Sequence, residues 1–228
     1  GAAFVDDGSN TAIGSRALTT CTTSENTAVG SDCLRYLDNK NQCTAVGRGA
    51  AENLNASKCV AIGFQALRGA ATNNLVTGDS NIAIGFEAGD QLAAGSQNIL
   101  IGDNAGGVMT ASHWNVVIGK DAGTAATCNG NVIIGMDAGT SNSGENNTVI
   151  GKGAQPSASN AENEITLGNT DVTKFRIPGL NTFEINDSGQ FSGVASTASG
   201  TAGVRKITAS TSSPSGGADG DIWIKYAA

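Results

Sequence analysis

One phrase, N-x-x-[IV]-G-x-x-A, is written ten times along this chain and constrains it more than any other feature. It reads NTAIGSRA, NTAVGSDC, CTAVGRGA, CVAIGFQA, NIAIGFEA, NILIGDNA, NVVIGKDA, NVIIGMDA, NTVIGKGA and a decayed EITLGNTD. The motif glycines are Gly14, Gly30, Gly47, Gly63, Gly85, Gly102, Gly119, Gly135, Gly151 and Gly168, spaced 16, 17, 16, 22, 17, 17, 16, 16 and 17 residues apart. A period this short is too small for a helix-pair repeat and fits one coil of a β-solenoid. Composition agrees: the 228 residues include 32 glycines but few aromatic side chains, so an ordinary core of large residues is not available.

Stacking the copies gives each slot a physical meaning. The residue before the glycine is Ile13, Val29, Val46, Ile62, Ile84, Ile101, Ile118, Ile134, Ile150 and Leu167, nearly always β-branched. Such residues suit an inward strand position, so this column is expected to form the coil core. Two residues earlier, on the same face by the strand period of two, stand Thr11, Thr27, Thr44, Val60, Ile82, Ile99, Val116, Val132, Thr148 and Ile165. Three residues after the glycine comes Ala or Cys33, a slot that admits only small side chains. Four residues before it, Asn10, Asn26, Asn81, Asn98, Asn115, Asn131 and Asn147 read first as turn-forming residues and second as a stacked amide ladder.

The column between the two strand positions decides the expectation about assembly. It reads Ala12, Ala28, Ala45, Ala61, Ala83, Leu100, Val117, Ile133 and Val149, followed by Thr166, and is apolar although it belongs to the opposite face. A strand that is apolar on both faces is buried on both. A thin single-chain roll offers one interior, so the second face requires cover, most economically from identical parallel chains. This column is therefore expected to line the axis of a homotrimer. Its change from Ala to Leu, Val and Ile coincides with a change from Leu18, Leu34, Ala51 and Leu67 to Gly89, Gly106, Gly123 and Gly139 four residues after the glycine. That switch suggests a change in how closely the chains approach the axis.

Charge and rare residues narrow the function. The net charge is -7 with no basic run, which argues against nucleic acid as a partner. The longest apolar runs, such as VVIG, fall far short of the roughly 20 residues that cross a bilayer, so no membrane insertion is expected. The opening GAAFVDDGSN reads as no signal peptide. Five cysteines without a CxxC pair suggest no disulfide framework or zinc site, and Cys43 and Cys59, which replace Asn in adjacent coils, are expected to be stacked free thiols. With a single histidine, His113, no catalytic residue, metal or cofactor is assigned, and the chain is expected not to be an enzyme. Asp79, Asp103, Asp121 and Asp137 lie in turns, without the nonapeptide pattern that binds calcium between coils.

The repeated phrases, from about residue 10 to 168, resemble the head repeats of trimeric autotransporter adhesins, and related IGxxA repeats of phage tail fibres. ENEITLGNTDVTKFRIPG, FEINDSGQFSG and DGDIWIKY resemble phrases at the distal ends of phage fibre proteins. The resemblance implies an all-β fold, a left-handed parallel β-roll of about ten 16–17-residue coils wound into a homotrimer, with a short β extension at the C-terminal side. It further implies a structural fibre segment of a phage virion, assembled in the host cytoplasm and carrying or forming a host-attachment surface. Its partners would then be itself, other virion fibre or baseplate proteins, and a host surface glycan or protein. The alternative is an adhesin head on a bacterial cell surface. The period here is two to three residues longer than in the compact adhesin repeat, and no heptad stalk or anchor barrel follows.

The organisation expected is a connector at 1–9, the solenoid at 10–171, a terminal β-hairpin cap at 172–192, and a low-complexity linker with a tip strand at 193–228. The one long spacing places a protruding loop at Thr72 to Asp79, and loops on rigid scaffolds are where recognition concentrates. Thr72, Asn73, Asn74 and Asp79 are therefore candidate receptor contacts. His113 and Trp114 form a second candidate, because an exposed Trp can stack on a sugar ring; packing against a solenoid edge or a neighbouring chain is the plainer alternative.

Overall fold

The computed structural model describes residues 8–37, 39–69, 76–124, 129–176, 184–186, 191–192, 207–210 and 222–225. Two compact units divide the chain, Gly1–Asn169 and Thr170–Ala228.

The first unit contains ten three-residue strands: β1 (Thr11–Ile13), β2 (Thr27–Val29), β3 (Thr44–Val46), β4 (Val60–Ile62), β5 (Ile82–Ile84), β6 (Ile99–Ile101), β7 (Val116–Ile118), β8 (Val132–Ile134), β9 (Thr148–Ile150) and β10 (Ile165–Leu167). They form one parallel sheet in chain order, with like positions opposite one another: Ile82 faces Ile99, Ala83 faces Leu100, and Ile84 faces Ile101. This is a parallel β-solenoid of about nine turns. Backbone pairing continues outside the strands, because Leu34 N–H donates to Ala50 C=O at 3.0 Å, Gly89 to Ala105 at 2.9 Å and Gly123 to Ala138 at 2.9 Å. Turns are thus stacked by the same rule as strands, one period apart.

Each coil bends at residues with left-handed backbone. Two residues after the motif glycine stand Arg16, Asp32, Gln65, Glu87, Asn104, Asp121 and Asp137, with φ between 52° and 61°. Four residues after it, Leu18, Leu34, Ala51 and Leu67 adopt φ between 47° and 51°, conformations that cost a non-glycine residue about 1–2 kcal/mol each. The motif glycine has a separate, steric reason. At Gly102, φ is 137° and an added Cβ would lie 2.5 Å from the Gly119 carbonyl oxygen of the next coil. Coils could not stack at this spacing with any side chain there.

The inward and outward columns are the reverse of the expectation. The central residue of each strand points into its own coil: Ala28, Ala45, Ala61, Ala83, Leu100, Val117, Ile133 and Val149 are buried within the single chain, with Ala12 half-buried at the end of the sheet. These residues do not line an axis between chains. The column expected as coil core faces outward instead: Ile13 is 60% exposed and Ile150 37%, with Val29, Val46, Ile62, Ile84, Ile101, Ile118 and Ile134 exposed or partly so. Strand alternation gives two faces but no sign. The sign comes from coil closure, since a three-residue strand turning at both ends presents one central side chain to an interior that the Ala column narrows further.

That interior also explains the mid-chain switch without reference to neighbouring chains. In three of the five coils whose central residue is Ala, a Leu four residues after the glycine fills the coil, as Leu18, Leu34 and Leu67 do. Ala45 is matched by Ala51, and at Gly89 in the Ala83 coil Leu100 of the next coil stands close enough that a Cβ would lie 2.6 Å from its Cδ1. Where it is Leu100, Val117 or Ile133, glycine takes the facing slot. A Cβ on Gly106 would approach Leu100 Cδ2 to 2.9 Å, one on Gly123 would meet Val117 Cγ1 at 3.0 Å, and one on Gly139 would meet Ile133 Cδ1 at 3.0 Å. Large and small residues thus exchange sides between the Leu18, Leu34 and Leu67 coils and the Leu100, Val117 and Ile133 coils, as a close-packed interior favours. Leu37, Leu54, Leu92 and Met109 are buried in the same core.

The asparagine column is a buried amide ladder rather than a set of exposed turn residues. Asn81 Oδ1 accepts from the backbone N–H of Asn98 and from Asn98 Nδ2, both at 3.0 Å. Asn98 repeats this toward Asn115, and Asn131 Oδ1 accepts from Asn147 N–H at 2.7 Å. The Nδ2 groups reach carbonyls as well, Asn98 to Ser112 at 2.7 Å. Cys43 and Cys59 occupy the same column as free thiols and contact the matching carbonyls, Cys43 Sγ that of Ala56 at 3.2 Å. Hydrogen bonding to Cys43 and then burial push the Cys59 thiol up, while burial pushes Cys33, in the Ala slot, up to about 11.

The second unit holds an antiparallel sheet of β11 (Lys174–Arg176), β12 (Glu184–Asn186) and β13 (Phe191–Ser192), with Phe175 opposite Ile185. It also holds a parallel pair, β14 (Ile207–Ser210) with β15 (Ile222–Lys225). The stretch read as linker therefore contains a strand, which pairs with the expected tip strand of the same chain.

Two substitutions test these constraints by thermal and chemical denaturation. Gly102→Ala is expected to destabilise by about 3 kcal/mol because backbone meets backbone, whereas Gly153→Ala, whose nearest new contact is Asn169 Nδ2 at 3.8 Å, is expected to cost about 1 kcal/mol. Asn98→Ala leaves two donors of Asn115 without their acceptor in a buried site and is expected to cost about 3 kcal/mol.

Candidate functional site

Three surfaces of the solenoid carry chemistry beyond holding coils together. The first is the outward side of the ten-stranded sheet. In-register pairing places the Ile13-to-Leu167 column beside the Thr11-to-Ile165 column, two residues per strand, on a backbone with no freedom to fold over them. Both columns become mainly aliphatic from β4 to β8, as Val60 with Ile62, Ile82 with Ile84, Ile99 with Ile101, Val116 with Ile118 and Val132 with Ile134.

The second surface borders that sheet just after the motif glycine. Phe64 and Phe86 stack with centroids 5.2 Å apart and planes 9° from parallel, and the Arg48 guanidinium lies 5.6 Å from the Phe64 ring centre. Phe86 is exposed, and Met136 occupies the same column further along. These residues were not among the sequence candidates. Their signal was the single column Arg48, Phe64, Phe86, visible only when the repeats are aligned and that slot is read downward.

The third surface lies at the opposite border, just before the Asn ladder. Trp114 is 62% exposed, with φ 58°, and its Nε1 donates to Gln97 Oε1 on the preceding coil. His113 packs against it at 5.4 Å between ring centres. The imidazole is anchored in turn: His113 Nδ1 accepts from Ser96 N–H at 3.1 Å, and His113 N–H donates to Asn129 Oδ1 at 2.9 Å. His113 and Trp114 therefore come together as expected on a surface turn. The loop candidates do not join them. Thr72, Asn73 and Asn74 lie outside the described residues, and Asp79 has a structural task, its Oδ1 accepting from Ser57 N–H at 2.7 Å.

Charged side chains mainly tie successive coils. Asp32 receives Arg16, with Nε–Oδ1 2.6 Å, and Arg35 at 3.6 Å, while Arg35 also reaches Glu52 at 3.5 Å. The Arg16 guanidinium holds the Asp32 carboxyl below its ordinary range. Asp90 goes the other way, because burial raises it although Arg68 stands 3.4 Å away. Lys120 and Asn104 take up the Asp121 carboxylate. Among the described residues no group of three His, Cys, Asp or Glu is placed to hold a metal ion, and no helix is long and apolar enough to cross a membrane.

No protein-family model, no curated protein and no solved structure matches this chain.

The Asp32 cluster gives a pH dependence of known sign. A carboxyl whose folded pKa is depressed stabilises the fold above its unfolded value, about 3.9, and loses that contribution as pH falls through the folded value. The first coils are therefore expected to lose stability below about pH 4, and Asp32→Asn is expected to flatten the melting midpoint across that range when measured by circular dichroism.

Proposed function

We propose that this chain is a structural, non-enzymatic fibre segment of a phage virion, three copies wound in parallel about one axis, carrying or forming a surface that attaches to the host. The observation that carries this reading is the outward apolar side of the solenoid sheet. Its two columns run about 43 Å, from nine rises of about 4.8 Å, at about 7 Å separation, so that they cover on the order of 300 Å² in projection, of which the stretch from β4 to β8 is aliphatic in both columns. With Phe86 and Met136 at the border, the strip has the size of the largest apolar patch of a typical soluble protein, which is often an interaction surface.

Identical parallel chains are the economical cover because every coil then meets coils of its own height, and closed cyclic symmetry leaves no open end to the association. The number three follows from the resemblance to trimeric head repeats. The residues at that axis are those from Ile13 to Leu167 and their Thr11-to-Ile165 neighbours, which corrects the assignment made from periodicity. A structural role fits the way buried polar groups are used: the Asn ladder and the Asp32 cluster bond coil to coil. The phage setting is supported by the fibre-like phrases after residue 164 and by four buried free cysteines, which suit assembly in a reducing compartment.

The decisive measurement is mass in solution. Light scattering or sedimentation is expected to give three times the 22.7 kDa chain mass. Replacing Ile101 and Ile118 together by Asp is expected to release folded single chains, since both side chains point away from the coil interior. A well-folded wild-type monomer would overturn the reading.

A further inference from the structure

We infer that Trp114 is the stacking platform of a saccharide-binding site built from Gln97, Trp114, Gly130, Asn129, Glu145 and Asn146, and that its ligand is a neutral sugar ring. The inference deepens the attachment reading and rests on it. The column just before the Asn ladder runs Gln97, Trp114, Gly130, Asn146 and Asn163, one residue per coil, each with a left-handed backbone. Parallel backbone bonds hold that corner rigid: Gln97 N–H donates to Asp79, Trp114 to Ser96, Gly130 to His113 and Asn146 to Asn129, all between 3.0 and 3.1 Å.

On this corner the indole has fixed support on one side and, among the described residues, a rung without a side chain on the other. Gln97 accepts from Nε1 on the preceding coil, and His113, itself anchored at both its ring and its backbone, packs alongside. On the following coil Gly130 contributes no side chain, and among the described residues a Cβ built there would meet only Asn146 N, at 4.0 Å. The next side chain of the column, Asn146, stands two coil rises away, about 9.6 Å. An exposed indole is thus held in place beside a gap wide enough for one sugar ring.

Polar groups border the gap at suitable heights. Asn129 Nδ2 donates to Glu145 Oε1 at 2.7 Å, and Asn146 Nδ2 to Asn163 Oδ1 at 2.8 Å, which orients both amides and leaves Glu145 and Asn146 at the exposed edge. A large flat apolar surface with a few oriented polar groups is what a sugar offers in complement, C–H bonds on one face and hydroxyls at the rim. The site is preorganised, so little ordering opposes binding. Glu145 and the overall charge of -7 disfavour a phosphate or sulfate ester in the same place.

The test uses the whole protein on an array of neutral hexose and N-acetylhexosamine oligosaccharides, with sulfated glycans and unrelated peptides alongside. Wild type is expected to bind at least one neutral saccharide, and Trp114→Ala to weaken that binding about tenfold or more. Gly130→Asn fills the rung with a residue the same column already carries at Asn146 and Asn163, with φ 56° and 58°, and is expected to weaken binding while melting is unchanged. Absence of any neutral saccharide among the ligands, binding undiminished in Trp114→Ala, or a change of oligomeric mass in that variant would each overturn the proposal, the last by making Trp114 a contact between chains. A monomeric wild type that still binds through Trp114 would sink the trimer and leave this site standing.

Discussion

Everything in the solenoid depends on the backbone pairing with itself one period further on. The strands are only three residues long, too short to form a stable sheet alone, yet each from β2 to β9 is bonded on both sides and the turns between them are bonded in the same way. The chain therefore has little tolerance for irregular spacing, and the side chains must fit a coil whose outline is already decided by hydrogen bonds. The motif glycines are the clearest consequence, since coil-to-coil contact at Gly102 leaves no space for a single carbon atom.

Within that outline two conserved quantities organise the sequence, coil volume and polar satisfaction. Volume is balanced by exchanging Ala with Leu, as at Leu18, Leu34 and Leu67, for Leu, Val or Ile with Gly, as at Gly106, Gly123 and Gly139, and around Gly89 by side chains from the adjoining coils. The Leu at a left-handed position carries backbone strain and compensates by filling the interior; the later coils remove the strain by placing the bulk on the strand. Polar satisfaction is kept by the amide ladder, where each Asn accepts from the next and reaches a carbonyl. Cys43 and Cys59 show that the column tolerates a smaller polar group where a thiol can meet the same carbonyls.

An interior so narrow changes what the outer surface must do. A coil that encloses only one central side chain per strand cannot hide the aliphatic residues on either side of it, so Ile84, Ile101, Ile118 and Ile134 remain at the surface although their type suits a core. The same rigidity lets corner residues be held without loops of their own. Stacked Phe64 and Phe86 on one border and Trp114 on the other are side chains of a repeating frame, each supported from the neighbouring coil.

The sequence by itself determined the solenoid, its period, the parallel in-register stacking, the small-residue slot and the presence of two apolar strand faces, because a ten-fold repetition averages away local ambiguity. The pairing of His113 with Trp114 was legible too, being local. Only the tertiary structure decided which face lies inside. A period of two is symmetric between faces, and the β-branched residues that favour strands favour them equally on either side. The choice was made by coil closure, which leaves room for Ala83 or Leu100 and none for Ile84 beside it. The neighbours of Trp114 likewise became visible only once stacking brought Gln97 and Gly130, 17 and 16 residues away in the chain, to its two sides.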